Sequence, residues 1–515
     1  MLILIKILFG LALMVAVAVI LARWAFAVPK VQDRIDSTAL PPAKTGRLAL
    51  ALAQKAAEQT GKTGVLALQD GDDAFAARMM LADAAVSTID AQYYIWRGDL
   101  TGYLLLDALL RAADRGVRVR VLLDDNGVWG LDRELAALEA HPNIEVRLYN
   151  PFNLRRFKAL SYTFDFFRLN RRMHNKSFTV DGLVAILGGR NVGDAYFKTG
   201  EATLFVDLDV LAVGAIVADV AADFDRYWAA PSVLGVGQII RATDGGDPIG
   251  DGLARFQSNP QSVDFRAASE RSDMVAIMAK GDLGLEWTRA LLVSDNPIKG
   301  QGAVAREDLL ATKLMQAVGD IHTRFDGVSP YLVPGAAGVR AFATLTKRGV
   351  AVRMLTNSLA ATDVVPVHAG YAKRRRALLR AGVGLFELHP GSGAPRIKKG
   401  PFGSSGASLH AKTFAVDGAR IFVGSFNFDP RSATLNTEMG LLIESAEMAE
   451  GLHAAFDSGL TGVAWRVGKR GQNRGARLVW IDGADGVVMR HEPGSTLLKR
   501  VVVAVVGWLP VEWLL

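Results

Sequence analysis

Two stretches of the chain repeat one pattern of apolar and polar positions. Residues 102–113 carry apolar side chains at helical spacing and pass through Arg115-Gly116 into the apolar run 117–123, which reads as a strand buried in a parallel sheet. Residues 341–347, Arg348-Gly349 and the run 350–355 repeat this in the second half. A further strand follows in each, at 144–149 and 383–388. Next come two short strands joined by Asp-Gly, a two-residue hairpin signature: 173–180 and 183–187 around Asp181-Gly182, then 409–416 and 421–423 around Asp417-Gly418. The doubled order of elements predicts an α/β fold of two domains related by pseudo-two-fold symmetry, with the active site at their interface.

The hairpins carry the chemistry. His174, Lys176, Asp181, Gly188 and Asn191 recur in the same order and spacing as His410, Lys412, Asp417, Gly424 and Asn427, 236 residues later. Period-2 geometry puts histidine and lysine of each copy on one strand face, with Asn191 or Asn427 just past the return strand. Two imidazoles, two ammonium groups and two amides converging on one point suit the oxygens of a phosphodiester. One neutral imidazole can attack phosphorus while a protonated one supplies the leaving alkoxide with a proton. The lysines meet the phosphate charge without a cofactor or metal, and neither copy has the clustered carboxylates of a two-metal site. Asp207 and Glu438, each opening an apolar strand after its pentad, are the candidates for orienting the imidazoles; Asp209 gives the poorer parallel. An Asp-Gly turn requires positive backbone dihedrals, so Asp181 and Asp417 carry a structural reading beside a catalytic one.

With these residues the chain resembles the phospholipase D superfamily, whose signature is His-x-Lys-x4-Asp followed by Gly-x-x-Asn. The phrases Gly188-Gly189-Arg190-Asn191, Asp429-Pro430-Arg431-Ser432, Leu435-Asn436-Thr437-Glu438, Gln92-Tyr93-Tyr94-Ile95-Trp96 and the run 356–363 resemble the bacterial cardiolipin synthase branch. The resemblance implies ping-pong phosphatidyl transfer through a phosphohistidine, with His174 matching the nucleophile and His410 the general acid, although the near-symmetry leaves the two roles interchangeable. It implies Lys176, Lys412, Asn191 and Asn427 as phosphate ligands and Asp207 and Glu438 as histidine-orienting acids. It also implies membrane phospholipids as partners: phosphatidylglycerol as acceptor and phosphatidylethanolamine as donor. Hydrolysis by a phospholipase D is the alternative, and a metal-independent nuclease a more remote one. The family's serine after the first glycine is Ser425 in the second copy but Gly189 in the first, which removes a hydroxyl contact there.

Composition adds scale and location. A chain of 515 residues, 50% hydrophobic, has ample length for two domains. It divides into an N-terminal membrane anchor or signal segment (1–27), a tether and lead-in helix (28–60), a first domain (61–234), a connection (235–300), a second domain (301–465) and a C-terminal appendage with a hydrophobic tail (466–515). The apolar run 7–22, with Arg23 and Trp24 after it, suits a transmembrane helix, while Ala25-Phe26-Ala27 is a signal-cleavage pattern. Lys6 on one side and Arg23 and Lys30 on the other leave both orientations in the bacterial inner membrane open. The anchor and tail weigh against nucleic acid as a partner. The net charge is +7, and Arg155, Arg156, Lys158, Arg168, Arg171 and Arg172 crowd ahead of the first pentad, a run that reads as a solvated loop or as an attraction for anionic lipid. Tyr93, Tyr94, Trp96 and Tyr331 read as core or as groove lining, His368 as near the pocket, and the connection as loops and a helix over the site. The tail from Val501 reads as interfacial or as cover for an apolar face.

Overall fold

The computed structural model of the chain describes residues 1–31, 34–197, 205–241, 245–272, 283–390, 408–471 and 477–515. In the first half, β1 (Thr63–Leu68), β2 (Thr88–Tyr93), β3 (Arg118–Asp124), β4 (Ile144–Tyr149), β5 (Ser177–Val180), β6 (Val184–Gly188), β8 (Asp209–Gly214), β9 (Val233–Gly235) and β10 (Glu286–Thr288) form one sheet. Its spatial order is β10-β1-β8-β6-β5-β2-β3-β4-β9. The second sheet contains β11 (Ala290–Ser294), β12 (Arg324–Val328), β13 (Ala351–Asn357), β14 (Gly384–Leu388), β16 (Lys412–Val416), β17 (Arg420–Gly424), β18 (Met439–Ile443), β19 (Ala464–Arg470), β20 (Arg477–Asp482) and β21 (Val488–Met489). Its order, β11-β18-β17-β16-β12-β13-β14-β19-β20-β21, matches the first sheet strand for strand from β8 to β9. Strands of the C-terminal appendage, β20 and β21, thus continue the second sheet at its edge. Two short strands, β7 (Phe205–Val206) and β15 (Ser408–Leu409), pair in parallel between the halves.

Alternation within the hairpin strands builds two cores at once. Ile186 and Leu211 join the core of the first half and Phe422 and Leu442 that of the second. Their neighbours Ala185, Leu187, Val210, Ala212, Ile421, Val423, Leu441 and Ile443 point the other way and pack together as the seam between the sheets. Helices cover the outer faces: α3 (Gly71–Ala84), α4 (Leu100–Asp114) and α5 (Asp132–Glu139) lie on the first half. Among the described residues the helices of the connection lie away from the site: α8 (Pro248–Ala254) and α9 (Pro260–Glu270) pack on α3, α4 and α5, where Ile249 and Phe265 complete an apolar core, while its end reaches the site's support, Asp295 accepting from the Glu438 N–H.

The Asp-Gly turns have the predicted geometry, with φ of 55° and 65° at Asp181 and Gly182 and 54° and 66° at Asp417 and Gly418. Each aspartate also ties its hairpin to the strand beside it. The Asp181 carboxylate accepts from the N–H groups of Val86, Ser87 and Thr88 at 2.7–3.1 Å, where β2 begins. Asp417 accepts from His322, Thr323 and Arg324 at 2.8–2.9 Å, where β12 begins. Burial alone would raise its pKa, but these donors outweigh it and hold Asp417 at about 2.

The N-terminal helix α1 (Leu2–Ala25) has no buried residue and is long and apolar enough to cross a membrane. The segment after it is strapped to the first half through Arg34 to the Val233 carbonyl, Asp36 to Arg147, and the Ala39 N–H to Asp225, before α2 (Gly46–Glu58). Replacing Asp181 by alanine leaves three N–H groups without their acceptor; the expected loss is about 1–3 kcal/mol of stability, read as a lower midpoint of denaturant unfolding.

Candidate active site

Backbone pairing between the halves places both histidines. Met173 bridges in parallel to Thr437, and the His174 N–H donates to the Thr437 carbonyl at 2.8 Å. On the other side β15 runs beside β7, and the His410 N–H donates to the Val206 carbonyl at 2.8 Å. These contacts explain why the regular strands start later than the pattern of residues suggests, at Ser177 and Lys412: the histidine segments bond across the seam instead of to their own sheet. Thr437 and Val206 immediately precede Glu438 and Asp207. Each histidine therefore lies beside the acid of the opposite half. Glu438 Oε2 accepts from His174 Nδ1 at 2.8 Å, and Asp207 Oδ2 accepts from His410 Nδ1.

An acid on Nδ1 fixes the tautomer and leaves Nε2 as a bare acceptor on each ring. Burial lowers the pKa of His174 to about 4, with Glu438 opposing and Lys176 and Lys412 assisting. Burial and Lys412 lower His410 to about 3 against the pull of Asp207. Both imidazoles are thus neutral, and both are acted on by the lysine charges of both halves.

The two ammonium groups are buried with little to balance them. Lys176 Nζ donates to the carbonyl of His174, and Lys412 Nζ to that of His410. Among the described residues neither lysine forms a salt bridge. Burial depresses Lys176 to about 7, with Glu438 opposing, and lowers Lys412 as well. A buried cation without a counter-ion is costly, and an anion entering the site removes that cost.

The supporting groups differ between halves. Glu438 is held by the hydroxyls of Ser425 and Ser432, the latter at 2.7 Å. Asp207 receives the N–H of Leu208 at 2.9 Å, and a Cβ on Gly189 would stand 2.0 Å from its Oδ1. The shorter acid sits where a serine cannot, which accounts for glycine in the first copy. Tyr94 packs edge-on against His174 at 5.0 Å between ring centroids, and Tyr196 against His410 at 5.1 Å. The last residues of β3 and β13 clamp the backbone just before each histidine. Asp124 accepts from the Met173 N–H at 2.7 Å, and Asn357 exchanges two hydrogen bonds with Leu409. Tyr196, Ser432 and Asp124 were not singled out from the sequence; Asp124 could have been, since it ends its strand at the repeat position of Asn357.

Other expected residues fall in varied places. Asn191 accepts from the Ile95 N–H at 3.0 Å and donates to the Tyr196 hydroxyl, whereas Asn427 Oδ1 is buried without a partner among the described residues. Asp181 and Asp417 spend their carboxylates on the turns described above. Asp209 pairs with the buried Arg78. Tyr93 and Trp96 are core, Tyr331 donates to Asp363, and His368 lies against Arg375 and Glu492. Most of the basic run is neutralised internally: Arg155 and Lys158 by Asp125, Arg168 by Asp165 and Arg172 by Asp124, leaving Arg156 exposed.

Lys176→Met is expected to raise the stability of the ligand-free protein by about 1 kcal/mol or more, measured by denaturant unfolding, while abolishing binding of an oxyanion. Lys176 loses its proton as pH rises through about 7. The affinity of the wild-type site for tungstate should then fall by about tenfold for each further pH unit, measured by calorimetry.

Comparisons with known proteins agree with this geometry. A family model described as "Cardiolipin synthase, PLD-like domain" matches residues 79–228 and 314–460, one segment in each half. Cardiolipin synthase C of Escherichia coli (strain K12) is 46% identical over 476 residues, covering 91% of this chain and 100% of that protein. The major cardiolipin synthase of Bacillus subtilis (strain 168) is 25% identical over 408 residues, covering 78% and 70%. Among solved structures, phosphatidylserine synthase of Haemophilus influenzae Rd KW20 shares the fold with a TM-score of 0.55 at 14% identity, covering 91% of this chain and 100% of that one. Each matched segment contains one complete pentad and the acid that crosses to the other histidine, and the chain belongs to the cardiolipin synthase family of phospholipase D-like (PLD-like) proteins.

Proposed function

We propose that this chain is a phosphatidyltransferase of the bacterial inner membrane that makes cardiolipin by transferring a phosphatidyl group to phosphatidylglycerol, with phosphatidylethanolamine as donor. The observation that carries the reading is the exchanged pair His174–Glu438 and His410–Asp207 beside two buried ammonium groups that form no salt bridge among the described residues. A diester of phosphate is the ligand such a site suits, because it brings one negative charge and two non-bridging oxygens.

The reaction follows from the free Nε2 atoms. The donor phosphate settles against Lys176, Lys412 and the Asn427 amide, and its charge raises the depressed histidine pKa values so that one ring takes up a proton. Nε2 of His174 attacks phosphorus. The bond to the headgroup oxygen breaks, and His410 Nε2–H protonates that oxygen as it leaves. His410 then removes the proton from a phosphatidylglycerol hydroxyl, whose oxygen attacks phosphorus and releases His174. Glu438 stabilises the positive charge on the phosphorylated ring, and Asp207 does the same for the imidazolium of His410. Water excluded by the second lipid directs the intermediate to transfer instead of hydrolysis.

The test is lipid mass spectrometry of a strain lacking other cardiolipin synthases, fed with differently labelled phosphatidylethanolamine and phosphatidylglycerol. The intact chain should restore cardiolipin carrying the donor's label, and His174→Ala and His410→Ala should each lower it by about a thousandfold or more. Phosphatidic acid without cardiolipin would assign the chain to hydrolysis.

A further inference from the structure

Helix α6 (Lys158–Leu169), kinked at Asp165, carries an apolar surface that the mechanism leaves unexplained. Its inner face buries Ser161, Phe164 and Leu169. Its outer face and the residue before it present Phe157, Leu160, Phe166 and Phe167 to solvent, with Phe167 70% exposed and Phe157 57%. An amphipathic helix with this many bare aromatic rings is poorly suited to water.

Two sets of contacts show where this face lies. The first ties α6 to the end of α1. Phe164 meets Phe26 at 6.1 Å between ring centroids, Asp165 pairs with Arg23 at 3.5 Å, and Asn153 Nδ2 donates to the Phe26 carbonyl at 2.8 Å. A helix of 24 residues is about 36 Å long, enough for a hydrocarbon core of about 30 Å. Its end therefore emerges among the headgroups, and α6 is held at that depth.

The second set ties α6 to the catalytic groups. Its Tyr162 hydroxyl donates to Asn126 Oδ1, Asn126 Nδ2 donates to the Tyr94 hydroxyl, and the Tyr94 ring lies on His174. At the end of α6, Arg431 donates to Asn170 Oδ1 at 2.8 Å and also to the carbonyl of Leu514 in the C-terminal tail. The next residue, Ser432, holds Glu438. The tail brings a second such surface: the helix α10 (Leu497–Trp508) packs Val502, Val503 and Val506 inward and exposes Leu498, Val501, Val505 and Trp508.

We propose that α6 is an interfacial helix that inserts Phe157, Leu160 and Phe167 into the bilayer crossed by α1, and with the C-terminal helix seats the mouth of the catalytic site on that bilayer, so that both lipids enter without leaving it. The occupant of this face is the boundary between lipid headgroups and acyl chains. Arg156, exposed beside Phe157, lies at the level of anionic headgroups. The proposal rests on the reading of α1 as a membrane span, and its first test is independent of activity.

The chain has no cysteine, so Phe167→Cys gives a single site for an environment-sensitive fluorophore. In full-length protein reconstituted in vesicles of phosphatidylethanolamine and phosphatidylglycerol, the label should be quenched by lipids spin-labelled high on the acyl chain and shielded from iodide. Quenching by iodide alone would overturn the proposal, as would an inter-chain disulfide through Cys at this position in place of lipid quenching, which would assign the face to a second copy. In the second test, the triple variant Phe157→Glu, Leu160→Glu, Phe167→Glu should lose about tenfold or more of its transfer activity in those vesicles. It should keep its activity, within about twofold, on monomeric short-chain lipids. An equal loss in both assays, or no loss in either, would overturn the proposal.

Discussion

Everything at the centre of this protein depends on an exchange of carboxylates between its halves. His174 is completed by Glu438 and His410 by Asp207, and in each case the strand carrying the acid also holds the backbone of the histidine it serves. A half alone would leave its imidazole without an acid and its carboxylate without an imidazole, and burying that carboxylate unpaired would cost several kcal/mol. The apolar seam from β6 and β8 to β17 and β18 offsets that cost and fixes the register of the exchange. Close strand approach is part of this register: a Cβ on Gly188 would stand 2.4 Å from Asp209 Oδ1, and one on Gly424 2.4 Å from the Met439 carbonyl.

Equal motifs do not make equal sites. Glycine with aspartate on one side and serine with glutamate on the other are two solutions to one distance, since the longer acid leaves room for a hydroxyl and the shorter one does not. Glu438 accordingly shares its charge with two hydroxyls, whereas Asp207 shares its own with one backbone N–H and stands closer to its ring. The environments of His174 and His410 are therefore distinct even though their pentads match residue for residue. That difference gives a division between nucleophile and acid a physical basis.

The site also gathers buried positive charge around its two imidazoles. Among the described residues the two ammonium groups in the seam form no direct salt bridge, Asp207 and Glu438 acting on them only at longer range, and the imidazoles' own burial, helped by those lysines, holds both rings neutral. In the proposed reaction an arriving phosphodiester relieves the repulsion and restores a proton to one ring. On the proposed reading, charge balance couples substrate binding to the readiness of the acid.

The sequence by itself determined the doubled α/β pattern, the Asp-Gly hairpins and the repeated histidine and lysine positions that they carry. These follow from periodicity and from local backbone rules that the residues carry wherever they are placed. It also suggested Asp207 and Glu438, because each opens the strand after its own pentad. What it could not assign was ownership: the sequence neighbour of His174 is Asp207, yet its acid is Glu438, 264 residues away. Only tertiary structure decided that, just as it sent the basic run of Arg155, Lys158, Arg168 and Arg172 into internal ion pairs and gave Asp181 and Asp417 to backbone amides. Pairing across a seam depends on which faces of two sheets meet, and no spacing along one chain encodes that contact directly.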